Sequence, residues 1–242
     1  MHSDELFPSN NAHMQRLRGS GTDTGSYPNS HPRDAATLLV LDLSGAEPRV
    51  LMGQRQFGLK FMPGKFVFPG GRVEARDYLA TIGSTMPAPM RSKLLRGLKG
   101  TAHPQRAYAL AHAALRETQE ETGIIIGAGA RTTDAGRGVP HFGGFTLLAR
   151  AITPSRRPRR FDTRFFVVSA DEITGNTDII DGEFVAVKWL TLAEARELDL
   201  PSITRIILED LEHRINAGRI GDPDAPVPFY FARGACFHRK LL

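Results

Sequence analysis

From residue 33 onward, short apolar runs alternate with polar breaks rich in glycine and proline. Ala36–Asp42 is an apolar run closed by Ser44-Gly45, the pattern of a buried strand and its turn. Arg49–Arg55 is a second strand, expected to form a hairpin with the first. Residues 56–65 read as a loop leading into a short strand, Phe66–Phe68. A helix is expected near Met90–Leu98, where Leu94, Leu95 and Leu98 need an apolar partner. Helical spacing is strongest from Pro104, which suits a first-turn position. Ala107, Leu110, Ala111, Ala114, Leu115 and Thr118 form one stripe, and Gly123 supplies a left-handed stop. Strands are expected again over Phe142–Ala151, Phe161–Ser169 and Phe184–Trp189, with Trp189 in the core. Helices follow over Leu192–Leu198 and Ile203–Ala217, the last ended by Gly218.

The flanks differ in character. Residues 1–32 are polar and weakly periodic, a flexible arm with one short helix near His13–Arg18. Residues 33–217 make the main domain, and residues 218–242 a tail that packs back on it through Phe229, Phe231 and Phe237. No internal repeat is present. Mixed strand and helical periods predict an α/β fold.

Composition narrows the class. The 242 residues are 41% hydrophobic and 24% charged, ordinary values for a soluble domain. No apolar run approaches the roughly 18 residues of a membrane span, and no basic-then-apolar leader opens the chain. A single cysteine, Cys236, excludes an internal disulfide and suits a reducing cytoplasm; a buried structural role is expected for it. The C-terminal Lys240-Leu241-Leu242 does not match the S-K-L peroxisomal address. A net charge of +5 suits an anionic ligand. Arg156, Arg157, Arg159 and Arg160 read either as a phosphate-contacting loop or as a solvated turn. Nucleic acid is not expected as a partner, because no long basic face with interleaved aromatics is evident. His103 and His112 lack zinc-ligand spacing, and His112 is expected to pack on the long helix.

Candidate chemistry concentrates at the end of that helix, in Arg116-Glu117-Thr118-Gln119-Glu120-Glu121-Thr122-Gly123-Ile124. Glu117, Glu120 and Glu121 project within about a 100° arc. The like-charged Glu117/Glu121 pair costs the helix about 0.2–0.5 kcal/mol. Glu120 and Glu121 also lie at the negative end of the helix dipole. Local helix physics disfavours this arrangement, whereas a hard divalent cation favours clustered carboxylate oxygens.

Upstream, Phe66-Val67-Phe68-Pro69-Gly70-Gly71-Arg72-Val73-Glu74-Ala75-Arg76-Asp77 runs a short strand into a sharp glycine turn. Together the two stretches resemble the Nudix box, G-x5-E-x7-R-E-U-x-E-E-x-G-U with U usually apolar. Gly71 fits the first glycine; Arg116, Glu117, Glu120, Glu121, Gly123 and Ile124 fit the second half. Two positions depart from the pattern, Asp77 in place of glutamate and Thr118 in place of an apolar residue. The spacing also departs, because residues 78–115 intervene where the motif has seven. An insert of about thirty residues, placed at 78–103, therefore splits the box, which costs little if its ends lie close together. Leu51–Arg55, Gly58–Pro63, Val67–Gly71 and Pro158–Phe166 are similar to the branch that includes the peroxisomal coenzyme A diphosphatases.

The resemblance implies an α/β/α sandwich with a mixed sheet. It implies a diphosphatase (pyrophosphatase) that cleaves a phosphoanhydride in a nucleoside diphosphate linked to another moiety, coenzyme A or its acyl forms among the candidates. Glu117, Glu120 and Glu121, with the Gly71 carbonyl, would bind Mg²⁺ or Mn²⁺. Arg116 would anchor the glutamates as part of the catalytic set, with Gly70, Glu74, Asp77 and Gly123 supporting the box. Arg55, Arg160 and Arg164 are the candidate substrate contacts; Glu117, Glu120 and Glu183 are candidate general bases. The alternatives are a Nudix-fold module that senses a nucleotide without cleaving it, and an RNA-decapping enzyme. Many Nudix proteins pair as homodimers, and the oligomeric state stays open.

Overall fold

In the computed structural model, residues 27–80, 84–98, 103–127, 142–176, 178–179, 182–234 and 236–242 are described. The helix expected at 13–18 lies outside them. The chain order is β1 (Arg33–Asp42), β2 (Arg49–Arg55), β3 (Phe66–Val67), β4 (Gly70–Arg72), the one-turn α1 (Ala75–Tyr78), α2 (Ala88–Leu95) and α3 (Pro104–Thr122). Then come β5 (Ile124–Ile126), a 3₁₀ turn (Phe142–Gly144), β6 (Thr146–Ile152), β7 (Phe161–Ser169) and a second 3₁₀ turn (Ala170–Glu172). The chain closes with β8 (Ile173–Asn176), β9 (Phe184–Thr191), α4 (Leu192–Glu197), α5 (Ser202–Asn216), β10 (Pro228–Arg233) and β11 (Cys236–Leu241).

The main sheet runs β11-β10-β6-β7-β1-β2-β3, with β4 added to β1 and β9 to β2. It is mixed: β1 lies parallel to β7, and β10 parallel to β6. The expected β1–β2 hairpin holds only at its turn, where Leu41 faces Val50 and Asp42 faces Arg49. Nearer its start, β1 exchanges β2 for β4, pairing Ala35, Ala36 and Thr37 with Arg72, Gly71 and Gly70. The sheet thus forks, and the glycine turn occupies one arm of the fork. Ile124–Ile126 and Ile173–Asn176 add a small second sheet that the hydrophobic pattern did not predict.

Alternation along the central strands divides the core. Leu39, Leu41, Phe165 and Val167 pack with Ile206, Ile207 and Leu211 of α5. Leu38, Val40, Phe166 and Val168 pack with Ala107, Leu110, Ala111 and Ala114 of α3. A fully buried leucine or phenylalanine of this kind contributes about 1.5–3 kcal/mol. Helices on both faces of a mixed sheet give the α/β/α sandwich of the Nudix fold.

The described part of the insert belongs to the core. Met86, Met90 and Leu94 are buried against α3, and Lys93 donates to the carbonyls of Pro223 (2.7 Å) and Ala225 (2.9 Å). The tail adds β10 and β11 at one side of the sheet, with β11 at the edge. Its Ala225, Val227 and Tyr230 are buried, and the Tyr230 hydroxyl meets both carboxylate oxygens of Asp210 at 3.0 and 2.8 Å, while Phe229 and Phe231 stay half-buried. Two expectations need correction. Cys236 is exposed, because it opens β11, the outermost strand. Trp189 keeps 37% of its surface in solvent, because β9 bonds only to β2 at the margin of the sheet. No described helix is long and apolar enough to cross a membrane.

Candidate active site

The long helix α3 is delimited as its sequence implies. Pro104 opens it, His103 Nδ1 accepts from the Gln105 amide at 3.3 Å, and Gly123 stops it at φ 75°. Thr118, in the usual apolar slot, is fully buried and donates to the Ala114 carbonyl at 2.8 Å, so its hydroxyl is satisfied within the helix.

The glutamate turn packs directly on β4. A Cβ at Gly71 would collide with the Glu117 carboxylate. A Cβ at Gly70 would fall 2.5 Å from the Ala36 carbonyl oxygen. Gly70 also donates its amide to Glu121 Oε2 at 2.9 Å. Glycine is therefore required at Gly71 by the close approach of a carboxylate and at Gly70 by the close approach of β1.

Arg116 organises the rest. Its Nε and Nη2 reach the two oxygens of Asp77 at 2.9 and 3.1 Å, and Nη2 also donates to the Arg72 carbonyl at 3.0 Å. Its Nη1 lies 2.9 Å from Glu117 Oε1 and 3.0 Å from Glu120 Oε2. Asp77 closes the capping box of α1, accepting from the Glu74 amide at 2.8 Å. Glu74 meets Arg76 at 2.9 Å, and Arg76 turns to Glu120 at 3.1 Å. Arg76 is the participant that motif reading overlooked; its place two residues after Glu74 was the available signal.

The electrostatics follow this geometry. Burial alone would lower the Arg116 pKa, but hydrogen bonding to Asp77 and the charges of Glu117 and Asp77 push it well above its ordinary value. Burial raises the Glu117 pKa, with Arg116 opposing and Glu120 reinforcing the shift. Among the described residues, no three acidic, histidine or cysteine side chains stand as a ready cation cage. Arginines already engage the oxygens of Glu117 and Glu120. The donor chemistry nevertheless fits Mg²⁺ or Mn²⁺, because the carboxylates and the glycine turn offer only hard oxygen ligands against a backbone that no side chain obstructs.

Residues 98–211 match the family model of the NUDIX domain. The match begins beyond Gly70–Asp77, so the first half of the box joins the domain's helix through the contacts above. A NUDIX hydrolase from Alicyclobacillus acidocaldarius is similar at 25% identity, with a TM-score of 0.50 over 81% of this chain and 94% of that one. The NUDIX domain of Shewanella oneidensis NrtR, crystallised with ADP ribose, shows 14% identity and a TM-score of 0.48 over 86% and 99% of the two chains. A MutT NUDIX hydrolase from Burkholderia pseudomallei shows 17% identity and a TM-score of 0.45 over 75% and 99%.

The three arginines expected to meet substrate are each engaged by groups of the protein itself. Arg164 has no exposed surface; it pairs with Asp162 at 2.8 Å and Asp34 at 3.3 Å beneath α3. Burial lowers its pKa to about 10. It is a core residue, and the expected substrate contact does not fit its position. Arg55 is nearly buried, bound to the Phe61 carbonyl at 3.0 Å and to Glu183 at 2.5 Å. Arg160 binds the Thr153 carbonyl at 3.2 Å, Asn29 Oδ1 at 3.0 Å and the Ser30 carbonyl. Both hold loops together at the end of the sheet nearest the box.

Proposed function

We propose that the chain is a divalent-metal-dependent hydrolase of a phosphoanhydride bond in a nucleoside diphosphate linked to a second group. The observation that carries this reading is the seating of Glu117 and Glu121 on the Gly70–Gly71 turn, with Arg116, fixed by Asp77, bridging Glu117 to Glu120. Glu117, Glu120, Glu121 and the Gly71 carbonyl would hold Mg²⁺ or Mn²⁺, which offsets the diphosphate charge and acidifies a bound water. Arg116 acts as a positioning residue. Its guanidinium keeps two carboxylates oriented while Asp77 fixes its own plane. Glu117 and Glu120, both beside the Arg116 guanidinium, are the candidates to take a proton from water. Glu183, paired with Arg55, instead serves the architecture of the loops.

The similarity of the split box to the coenzyme A diphosphatase branch supports testing coenzyme A and acyl-coenzyme A first. The experiment is a panel of these with NADH, ADP-ribose, dinucleoside polyphosphates and capped RNA, with Mg²⁺ or Mn²⁺, read by product mass. Release of 3′,5′-ADP and a phosphopantetheine is the expected result. Cleavage of another member keeps the chemistry and changes the substrate; cleavage of none with either metal rejects the hydrolase reading.

A further inference from the structure

Next to the box, at the same end of the sheet, two loops meet. One is residues 56–65, which lead through β3 into the glycine turn. The other is residues 153–160, which lead into β7 beside β1. Phe61 joins them, with the Phe161 ring 6.4 Å away and the Arg159 guanidinium 5.7 Å from its centroid. Among the described residues, the only non-glycine residues with positive φ are Met62 (51°) and Arg156 (60°), one in each loop. Backbone strain of this kind costs on the order of 1–3 kcal/mol and clusters at ligand clamps.

Phe57 stands out on this surface. It is 72% exposed, yet one edge of its ring lies on Gly64, where a Cβ would fall 2.7 Å from the ring. A lone exposed phenylalanine needs no explanation. This one rests on a backbone bolted in place: Gln56 donates its amide to the Glu183 carbonyl at 3.0 Å, Gly64 to Arg55 at 3.2 Å, and Arg55 to Lys65 at 3.0 Å. A planar apolar surface is thereby held open to solvent by fixed main chain. The two loops also carry the exposed cations Lys60, Arg156 and Arg159, while the carboxylates beside the first loop, Glu183 and Asp199, are paired with Arg55 and Lys65. Gly64 precedes Gly71 by seven residues, so platform and glycine turn lie within about 25 Å of each other.

We infer that Phe57 is the stacking platform for the heteroaromatic base of a nucleotide whose phosphates are drawn toward the box by the neighbouring arginine loop. The inference rests on the hydrolase reading for the direction in which the nucleotide lies, and it adds the recognition of the base. A base stacked on an aromatic side chain gains about 1–3 kcal/mol whatever its identity, so the subsite selects nucleosides over bare phosphates without choosing among bases.

The test is calorimetric binding, with Mg²⁺ present, of ADP, GDP, CDP, UDP and inorganic pyrophosphate to the wild type, Phe57→Ala and Phe57→Trp. Exposure of the side chain leaves folding of both variants intact. Phe57→Ala should weaken nucleoside diphosphates by about tenfold, Phe57→Trp should restore them, and pyrophosphate binding should not change. Unchanged nucleotide affinity in Phe57→Ala, parallel loss of pyrophosphate, or a wild type that binds no nucleoside diphosphate overturns the assignment. Because binding is read rather than cleavage, the two readings fail separately. Base stacking without hydrolysis of any panel member keeps the platform and removes the hydrolase; hydrolysis indifferent to Phe57 does the reverse.

Discussion

Asp77 and Arg116 lie 39 positions apart, yet their side chains share two hydrogen bonds of 2.9 and 3.1 Å in a buried pair. This contact makes one box out of two sequence fragments. The chain leaves the glycine turn, builds part of the core with α2, and returns so that Arg116 faces the carboxylate it left behind. Aspartate suffices because α1 presents it directly, and its second task, capping Glu74, uses the same oxygen.

Removing one partner of a buried ion pair leaves the other uncompensated. Asp77→Ala should therefore lower stability by about 3–5 kcal/mol, read as a shift in the urea midpoint. A loss below about 1 kcal/mol, the range of an exposed pair, would show that the pair does not hold the box.

Glu120 meets both Arg76 and Arg116 while keeping some exposure. Glu120→Gln should keep the fold and lower turnover of the cleaved substrate by at least about tenfold, the low end for a group engaged in the reaction. Addition of EDTA to the wild type should abolish turnover. Near-wild-type rates in the variant would remove Glu120 from the mechanism.

Gly71→Ala offers a steric test of the same contact. The added methyl would force Glu117 away from the turn, so activity should fall while circular dichroism stays native. Full activity would mean that this close approach is dispensable.

His112 carries a pH signature. It is buried on α3 with its ring 5.4 Å from Phe142, and burial outweighs the nearby Asp77 charge to lower its pKa to about 4. A histidine depressed in the folded state contributes stability that is complete above pH 6.5 and is lost as pH falls toward 4. The shift corresponds to about 3 kcal/mol. Comparing wild type with His112→Phe in denaturation curves between pH 7 and 4 should show a shallower decline in the variant. Parallel curves would exclude this histidine as a source of acid sensitivity.

Lys93 tests the role of the insert. Lys93→Met removes two hydrogen bonds to the Pro223 and Ala225 carbonyls, at about 0.5–1.5 kcal/mol each. Hydrogen exchange should quicken around residues 221–227, with little change at the box. Unaltered exchange there would separate the insert from the tail.

Much of this protein is determined by local sequence. β2, β7 and the helices α3 and α5 follow from apolar period and from punctuation by Pro104, Gly123 and Gly218, because strand and helix repeats are properties of neighbouring residues. The order of Arg116, Glu117, Glu120 and Glu121 is legible for the same reason: one helical turn brings them together. Tertiary structure alone decided the fork in the sheet, since the choice of β1 between β2 and β4 depends on which backbone is near. It also decided that Arg164, for all its positive charge, is core, because strand register carries it beneath α3 between Asp34 and Asp162. Pairing across a long insert, as between Asp77 and Arg116, and the seating of Phe57 on Gly64 have no local period to reveal them. They exist only because the fold returns distant segments to the same place.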